Sequence, residues 1–328
     1  MKQTRSCIKK EILFLRRISI RLNMKKVIIF GGSGFIGRHL IEELKDSFEI
    51  VVISRRPRTI AKELGEGVTV ERLRSRDVTK ISEQFEGTEA VVNLAGENLI
   101  GRWNKKKMAK IKKSRLDVDN IIVRAFRGTE DKPKVLIQGS GMGIYGLSRN
   151  TIDVTEETPL GQRGFLTKVA ISHEETFNQL EKLSRVIYLR TGLVLDSNEG
   201  ALPRIAMPFK FFVGGKLGNG NQWNSWIHIN DEVRAIKFLI ENENSRGVYN
   251  LTAPNPVSQK QLATQIGVTL KRPAYLTKPA FGLRMFMGVM ADELLLNGLK
   301  VVPKRLIDDG FKFNFETIES ALTDIYDN

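Results

Sequence analysis

Cysteine and histidine are scarce in this sequence of 328 residues. It has one cysteine, Cys7, and three histidines, His39, His173 and His228, which lie far apart along the chain. A single cysteine excludes an internal disulfide, and the wide spacing of the histidines gives no metal-ligand pattern. We therefore expect no metal site, and the reducing cytoplasm is the simplest location.

Long apolar runs are also missing near the start of the chain. The longest one there is 12–15, which is too short for a signal-peptide core or a membrane span. Residues 1–23 hold seven basic side chains and one acidic one, so an Arg-rich presequence is one interpretation. We favour the other, an extension outside the fold, because the first strand begins directly after Met24. We expect no membrane partner.

Acidic residues are fewer than basic ones, 37 against 52, which gives a formal charge of +15. Besides the first 23 residues, basic side chains concentrate between Lys105 and Arg115. Such a cluster is compatible with nucleic-acid binding or with a solvated helix that faces anionic cofactor phosphates. We favour the second interpretation and expect no nucleic-acid partner, because no aromatic residues are interleaved as a stacking platform.

Short apolar runs alternate with helical patterns over residues 24–200. The strand-like runs are 27–30, 50–53, 90–94, 135–137 and 185–189, and helical stretches include 35–45, 104–127 and 164–184. Continuous apolar strands alternating with helices predict a parallel sheet covered on both faces. The fold class is therefore α/β, a Rossmann-type doubly wound parallel sheet.

Prolines and shorter helical stretches mark a change of pattern in residues 201–328. The predicted helices there are 231–242, 258–267 and 281–298. We interpret this part as a smaller C-terminal α/β substrate domain, interleaved with the last strands of the Rossmann sheet.

Three glycines separate the first strand from the first helix. In this context Gly31 permits a tight turn, Gly34 lets the backbone approach a pyrophosphate at the helix N-terminus, and Gly37 lets the helix pack closely on the sheet. A strand, this turn and a helix in succession predict a dinucleotide-binding site.

The end of the second strand discriminates between cofactors. A carboxylate there usually binds the ribose hydroxyls of NAD, but this strand ends with Ser54 and Arg55, and Arg58 is nearby. A guanidinium there pairs with a 2′-phosphate, so the sequence favours NADP(H) over NAD. The alternative interpretation is that these arginines are only surface charges.

The end of the fourth strand is predicted to contact the adenosine. The small residues from Asn93 to Gly96 let the chain run close to the adenosine ribose, and Asp77 is a weaker candidate for an adenine contact.

The motifs together resemble the atypical extended short-chain dehydrogenase/reductases of the "epimerase family" group. Beyond the glycine turn they include 92–98, 102–103, 114–115, 143–146, 165–166, 190–195, 214–218, 222–229 and a tail, 294–313, similar to a C-terminal domain of unknown function. The resemblance covers essentially residues 24–326. It implies NADP binding and, through the long helices near 104–127 and 164–184, a possible homodimer. The predicted cofactor-binding residues are Gly31, Ser33, Gly34, Phe35, Ile36, Gly37, Ser54, Arg55, Leu94, Ala95, Gly96 and Arg115.

The usual catalytic pair of this superfamily is missing. The superfamily uses a Tyr and, four residues later, a Lys that lowers the pKa of the phenol. Here Phe165 and Val169 stand at those positions, and Lys168 is one residue, or about 100°, out of register on a helix.

Two residues are substitute candidates for catalysis. Ser140 matches the superfamily Ser, and Tyr145 lies just beyond it in a loop that lines the nicotinamide side in relatives. We favour a packing role for Tyr145, because the sequence places no cation to lower its pKa. Ile144 and His173 depart from the group, which usually has Tyr and Trp there.

Three further residues form a predicted substrate-binding wall: Gln222, Trp226 and His228. Trp226 offers a stacking face and His228 titrates near neutral pH when exposed. The alternative interpretation is that Trp226, His228 and Asn230 form one face of a buried strand, with His228 as a hydrogen-bonded core histidine. Two functions stay open. One is an NADP(H)-dependent oxidoreductase or epimerase on an unknown substrate, which is nucleotide-sugar-like by analogy with the extended relatives. The other is a non-catalytic NADP-binding sensor or partner-binding protein.

Overall fold

Seven parallel strands form the central sheet of the computed structural model, which describes residues 24–65, 67–74, 77–147 and 152–327. The predicted extension 1–23 lies outside the described residues. In chain order the sheet strands are β1 (Lys26–Phe30), β2 (Glu49–Ser54), β3 (Val68–Arg72), β4 (Ala90–Asn93), β5 (Val135–Gly141), β6 (Arg185–Thr191) and, much later, β11 (Gly247–Leu251).

The strand order is β11-β6-β5-β4-β1-β2-β3. The chain moves outward from β1 to β3, then crosses back to place β4 on the other side of β1. This reversal is a topological switch point, where the carboxyl ends of β1 and β4 diverge and leave a crevice. The predicted α/β fold of Rossmann type is confirmed.

Helices cover both faces of the sheet. The first five are α1 (Phe35–Leu44), α2 (Pro57–Leu64), α3 (Val78–Phe85), α4 (Lys105–Arg127) and α5 (Phe165–Asn178); the next seven are α6 (Leu202–Lys210), α7 (Ile229–Glu241), α8 (Gln259–Thr269), α9 (Ala280–Met287), α10 (Val289–Leu294), α11 (Lys304–Asp308) and α12 (Ile318–Asp327). Apolar side chains of α1 and α7 pack on one face of the sheet. Those of α3, α4 and α5 pack on the other.

The C-terminal part contributes to the central sheet as well as to smaller elements. Its α7 packs against α1, and β11 adds the last strand beside β6. The remaining short strands are β7 (Leu193–Leu195), β8 (Gly215–Leu217), β9 (Trp223–Asn224), β10 (Trp226–His228), β12 (Val257–Ser258) and β13 (Leu276–Lys278). The division at residue 200 stays a prediction, since strands from both sides of it share one sheet.

No helix among the described residues is both long enough and apolar enough to cross a membrane.

Candidate functional site

A cavity of about 600 Å³ opens at the switch point. The glycine turn after β1, the ends of β2 and β4, the segment after β3 and one face of α4 surround it. The lining residues are Gly31, Gly32, Ser33, Gly34, Val52, Ile53, Ser54, Arg55, Arg56, Leu73, Arg74, Leu94, Ala95, Gly96, Lys113, Ser114, Asp117, Val118, Asn120, Ile121 and Arg124.

Close backbone approach explains the glycine at two positions of the turn. Gly31 has a φ of +84°, and a Cβ there would lie 2.7 Å from the carbonyl carbon of Leu94. A Cβ on Gly37 would lie 2.4 Å from the carbonyl oxygen of Gly31. Both distances are prohibitive, so larger side chains would push α1 and the loop after β4 away from the turn.

The cavity wall is strongly cationic. Arg55 and Arg56 follow β2, Arg74 follows β3, and α4 contributes Lys113 and Arg124. The lining carboxylate, Asp117, lies 2.9 Å from the Lys113 ammonium. Such a wall favours an anionic ligand, and the guanidinium groups have the fork geometry that suits a phosphate.

Sequence reasoning placed the basic cluster that contains Lys113 opposite the cofactor phosphates, but it missed Arg124 of α4 and Arg74, which follows β3. On α4, Lys113, Asp117 and Arg124 recur at spacings that put them on one helical face. That spacing was visible in the sequence. The position of Arg74 at the cavity could not be predicted from the sequence, because it depends on which strand pairs with β2.

Four predicted cofactor residues are not among those that line the cavity. Phe35, Ile36 and Gly37 belong to α1, where the first two pack against the sheet. Arg115 lies over Gly96, with its guanidinium carbon 2.9 Å from where a Gly96 Cβ would be, and burial lowers its pKa. Their binding roles stay predictions.

The start of α5 carries apolar residues where the superfamily has its catalytic pair. Val169 is buried, whereas the Lys168 side chain is exposed on another face of the helix. Phe165 packs edge-on against Trp103, with ring centroids 5.5 Å apart. The carboxylate of Glu293, from α10, accepts hydrogen bonds from the Phe165 amide at 2.6 Å and the Leu166 amide at 3.1 Å.

Ser140 lies near the carboxyl end of β5, beside the loop after β4. Its hydroxyl oxygen is buried and has no hydrogen-bond partner among the described residues. A buried hydroxyl costs free energy unless something satisfies it, so this oxygen is available to a bound group.

Tyr145 is 1% exposed, and its hydroxyl donates to the Asn250 side-chain oxygen at 2.8 Å. The expectation that no cation is near was wrong: the Arg190 guanidinium carbon lies 4.8 Å from the ring centroid. Burial nevertheless raises the pKa of Tyr145. Arg190 itself is paired with Glu174 through two hydrogen bonds of 3.1 and 2.7 Å.

A buried polar network lies beneath the ends of β4 and β5. Asp119 of α4 accepts from the side-chain amides of Asn93 at 2.9 Å and Gln138 at 3.1 Å. Its other oxygen lies 2.5 Å from Nδ1 of His173, whose Nε2 is 2.9 Å from the carbonyl oxygen of Gly139. Both ring nitrogens of His173 therefore lie beside oxygen acceptors, and Nδ1 is also 3.1 Å from the side-chain nitrogen of Gln138.

The network is connected to the loop that lines the cavity. The side-chain oxygen of Asn93 accepts from the Ala95 amide at 3.1 Å. One buried cluster therefore holds the ends of two adjacent strands, next to Ser140 and Ala95.

The predicted substrate wall divides between the interior and the C-terminal part. Trp226 is completely buried, and its indole N–H donates to the Asn255 carbonyl at 3.1 Å. His228 is 2% exposed; its Nδ1 accepts from the Asn230 amide at the start of α7, and burial lowers its pKa. Neither ring faces an open cleft in this structure, because both pack into the core.

Gln222, the third residue of this wall, is only partly buried. Its amide nitrogen donates to the carbonyls of Leu217 at 3.1 Å and Leu295 at 2.8 Å. It therefore joins the β8 segment to the segment after α10.

A parallel doubly wound sheet, a glycine turn after β1 and a cationic cavity at the switch point define a Rossmann-type nucleotide-site architecture. The chain belongs to the NAD dependent epimerase/dehydratase family, whose model matches residues 27–252. A domain of unknown function (DUF1731) matches residues 278–325. The resemblance to the epimerase family group is confirmed.

The similar proteins agree with this assignment. The chain is 33% identical to epimerase family protein YfhF of Bacillus subtilis, over 91% of this chain and 97% of that protein. It is 34% identical to the SDR39U1 homolog, chloroplastic, of Arabidopsis thaliana, over 90% and 85%. The crystal structure of human epimerase family protein SDR39U1 with NADPH has a TM-score of 0.82 and 28% identity, covering 92% of this chain and 99% of that one.

Proposed function

We propose that this chain is an NADP(H)-dependent oxidoreductase or epimerase of the extended short-chain dehydrogenase/reductase type. The observation that carries the proposal is the cationic wall at the end of β2, where Ser54, Arg55 and Arg56 stand and no carboxylate follows the strand. The human relative whose structure contains NADPH supports the same choice. The cytoplasm stays the proposed location.

The residues of the cavity fit this cofactor. The glycine turn, where a Cβ would collide with Leu94, leaves room for a pyrophosphate at the N-terminus of α1. Arg55 would pair with the 2′-phosphate, and the loop from Leu94 to Gly96 would border the adenosine ribose. When bound, NADPH supplies a hydride at its nicotinamide ring.

Proton transfer is the step that this chain must perform differently. Ser140 is our first choice to orient the substrate oxygen, because its hydroxyl lies at a strand end without a partner among the described residues. Tyr145 is the second candidate for the acid. Its raised pKa keeps the phenol protonated but makes it a weaker acid, and donation to a substrate also requires its bond to Asn250 to open.

A second function is favoured by the start of α5. With Phe165 and the buried Val169 in place of the catalytic pair, a protein that binds NADP(H) without turnover, as a sensor or partner-binding module, is the alternative. The substrate of the first function is open, and nucleotide sugars are an analogy at the level of the fold.

The deciding experiment is a titration with NADPH and, separately, NADH, followed by nicotinamide fluorescence. We expect NADPH to bind at least about tenfold more tightly, and Arg55→Met to remove most of that difference. Arg58→Met is the matched control, since Arg58 lies three residues away and does not line the cavity. Equal binding of the two cofactors, or unchanged preference in Arg55→Met, would contradict the assignment.

Turnover is then tested with the NADPH-loaded protein against a panel of carbonyl compounds and nucleotide sugars. Oxidation of NADPH that Ser140→Ala reduces supports the enzyme. Tight NADPH binding without turnover on the whole panel favours the sensor.

A further inference from the structure

Exposed apolar side chains are concentrated on one part of the surface. Of the 16 large apolar residues that are exposed in the described chain, 11 fall in two segments, 207–213 and 268–289. Phe211 is 70% exposed, Tyr275 77%, Phe281 73% and Phe286 72%. Scattered exposed apolar residues are ordinary, but such a concentration marks an interaction surface. We call these two segments the apolar–basic face.

The two segments are neighbours in space. Strands β8 and β13 pair in parallel, with Gly215 opposite Leu276. The Arg272 guanidinium carbon also lies 4.7 Å from the ring centroid of Phe212, which joins the segments a second time. Helix α9 follows β13 directly and has no buried residue. The two segments therefore adjoin at Phe212 and at β13, and the exposed helix α9 continues from that point.

The backbone holds two adjacent phenylalanines outward at the end of α6. Phe212 has a φ of +61°, in the left-handed region that bulky residues avoid. Its amide donates to the Phe209 carbonyl at 2.9 Å, and Val213 donates to Pro208 at 2.9 Å. Glycine adopts this conformation at the lowest cost. The chain has Phe212 there instead, and the rings of Phe211 and Phe212 are both exposed to solvent.

The charge of the face has one sign. Neither segment contains Asp or Glu, and together they carry Lys210, Lys271, Arg272, Lys278 and Arg284. Asp292, just beyond the face, pairs with Arg284 at 2.9 Å. Aromatic and aliphatic side chains are thus surrounded by cations.

We propose that the apolar–basic face docks on the surface of an anionic lipid bilayer. Aromatic rings are favoured at the membrane–water interface, and cations beside them are attracted to acidic headgroups. A symmetric contact with a second copy is less suitable, because it would bring the five cations of one face against the same five of the other. Docking involves no span, so it is compatible with the absence of a membrane-crossing helix among the described residues.

This proposal goes beyond the proposed function and does not depend on it. It also departs from the expectation of no membrane partner, which rested on the shortness of apolar runs. A docking surface assembled from two segments leaves no such run in the sequence.

The test is flotation of the full chain with vesicles of phosphatidylcholine alone or mixed with phosphatidylserine. We expect binding to the acidic vesicles that weakens with added salt. The double variant Phe281→Ser/Phe286→Ser and the double variant Lys271→Gln/Arg272→Gln should each reduce that binding at least about tenfold. The matched control is Leu183→Ser/Ile307→Ser, which removes two exposed apolar side chains outside the face.

Full chains are compared throughout, because the basic residues of 1–23 also attract acidic vesicles and stay the same in every variant. Thermal melting and NADPH titration verify that each variant is folded. The proposal is overturned if the chain does not float, or if both face variants float as well as the control. It is also overturned if light scattering shows a dimer that the phenylalanine variant dissociates, since the face is then a contact between copies.

Discussion

At the scale of single residues, Arg124 and Arg127 offer a matched comparison on α4. Both are exposed, but only Arg124 lines the cavity, whereas Arg127 hydrogen-bonds to Gln179. We expect Arg124→Met to weaken NADPH binding about threefold to tenfold, because a cation beside the phosphate groups is lost. Arg127→Met should leave the Kd unchanged. Equal effects of the two variants on the Kd would show that only the overall charge matters.

The buried Asp119 predicts a large effect on stability. Removing it leaves the amides of Asn93 and Gln138 and the ring of His173 without their shared acceptor. We expect Asp119→Ala to lower the free energy of unfolding by about 3–5 kcal/mol, measured by urea denaturation.

The control for this variant is Asp117→Ala, two residues earlier on the same helix. Asp117 is exposed and pairs with the exposed Lys113, so the loss should be below about 1 kcal/mol. A small loss in Asp119→Ala would mean that the network is not essential to the fold.

At the residue level, the sequence was most informative where side-chain chemistry and position at a strand end both indicate the same site. Ser54, Arg55 and Ala95 line the cavity because parallel strands end at one edge of the sheet. It was least informative at Trp226 and His228, because the sequence does not show that this short strand is buried on both faces. The pairing of His173 with Asp119 joins residues 54 positions apart, which no local pattern reveals.

At the scale of elements, Glu293 connects α10 to the start of α5. Its carboxylate accepts the first two amides of α5, which otherwise have no intrahelical acceptor. We expect Glu293→Ala to cost about 1 kcal/mol and to speed hydrogen exchange of the Phe165 and Leu166 amides. Asp292→Ala is the control, since Asp292 pairs with the exposed Arg284. Unchanged exchange in Glu293→Ala would contradict a capping role.

Most elements were predictable from periodicity. The helix over 104–127 is confirmed as α4, and the five apolar runs are strands of the sheet. No range was predicted for strand β3, because its residues are exposed or only partly buried at a sheet edge, or for β11, because its partner β6 is distant in sequence. The predicted helix 281–298 is two short helices, since Gly288 breaks it at a φ of +63°.

At the scale of the whole molecule, the basic side chains are unevenly distributed over the structure. Part of it lines the cavity, part surrounds the apolar–basic face, and part is neutralised locally, as where Lys107 and Lys110 both pair with Glu97. The net charge of +15 therefore creates an attractive field for anionic ligands and surfaces. That distribution follows from the fold, because the basic segments lie far apart in sequence.

Glu232 makes the stability of the whole chain depend on pH. It is fully buried in α7, accepts a hydrogen bond from Thr191 at 2.9 Å, and burial raises its pKa to about 8. Because the folded state binds this proton more tightly than the unfolded state does, proton binding by Glu232 contributes to the free energy of unfolding. That contribution is complete below the unfolded pKa and is lost progressively as the pH rises towards about 8.

We therefore expect the melting temperature to fall between pH 5 and pH 8, and Glu232→Gln to flatten that decline, because an amide stays neutral throughout. Glu241→Gln, at the exposed end of the same helix, is the control and should retain the full slope. The measurement is the melting temperature of the unmodified chain, Glu232→Gln and Glu241→Gln at several pH values across this range. Identical slopes would mean that Glu232 is ionised in the folded chain near neutral pH, and that Thr191 and the surrounding backbone stabilise the charge.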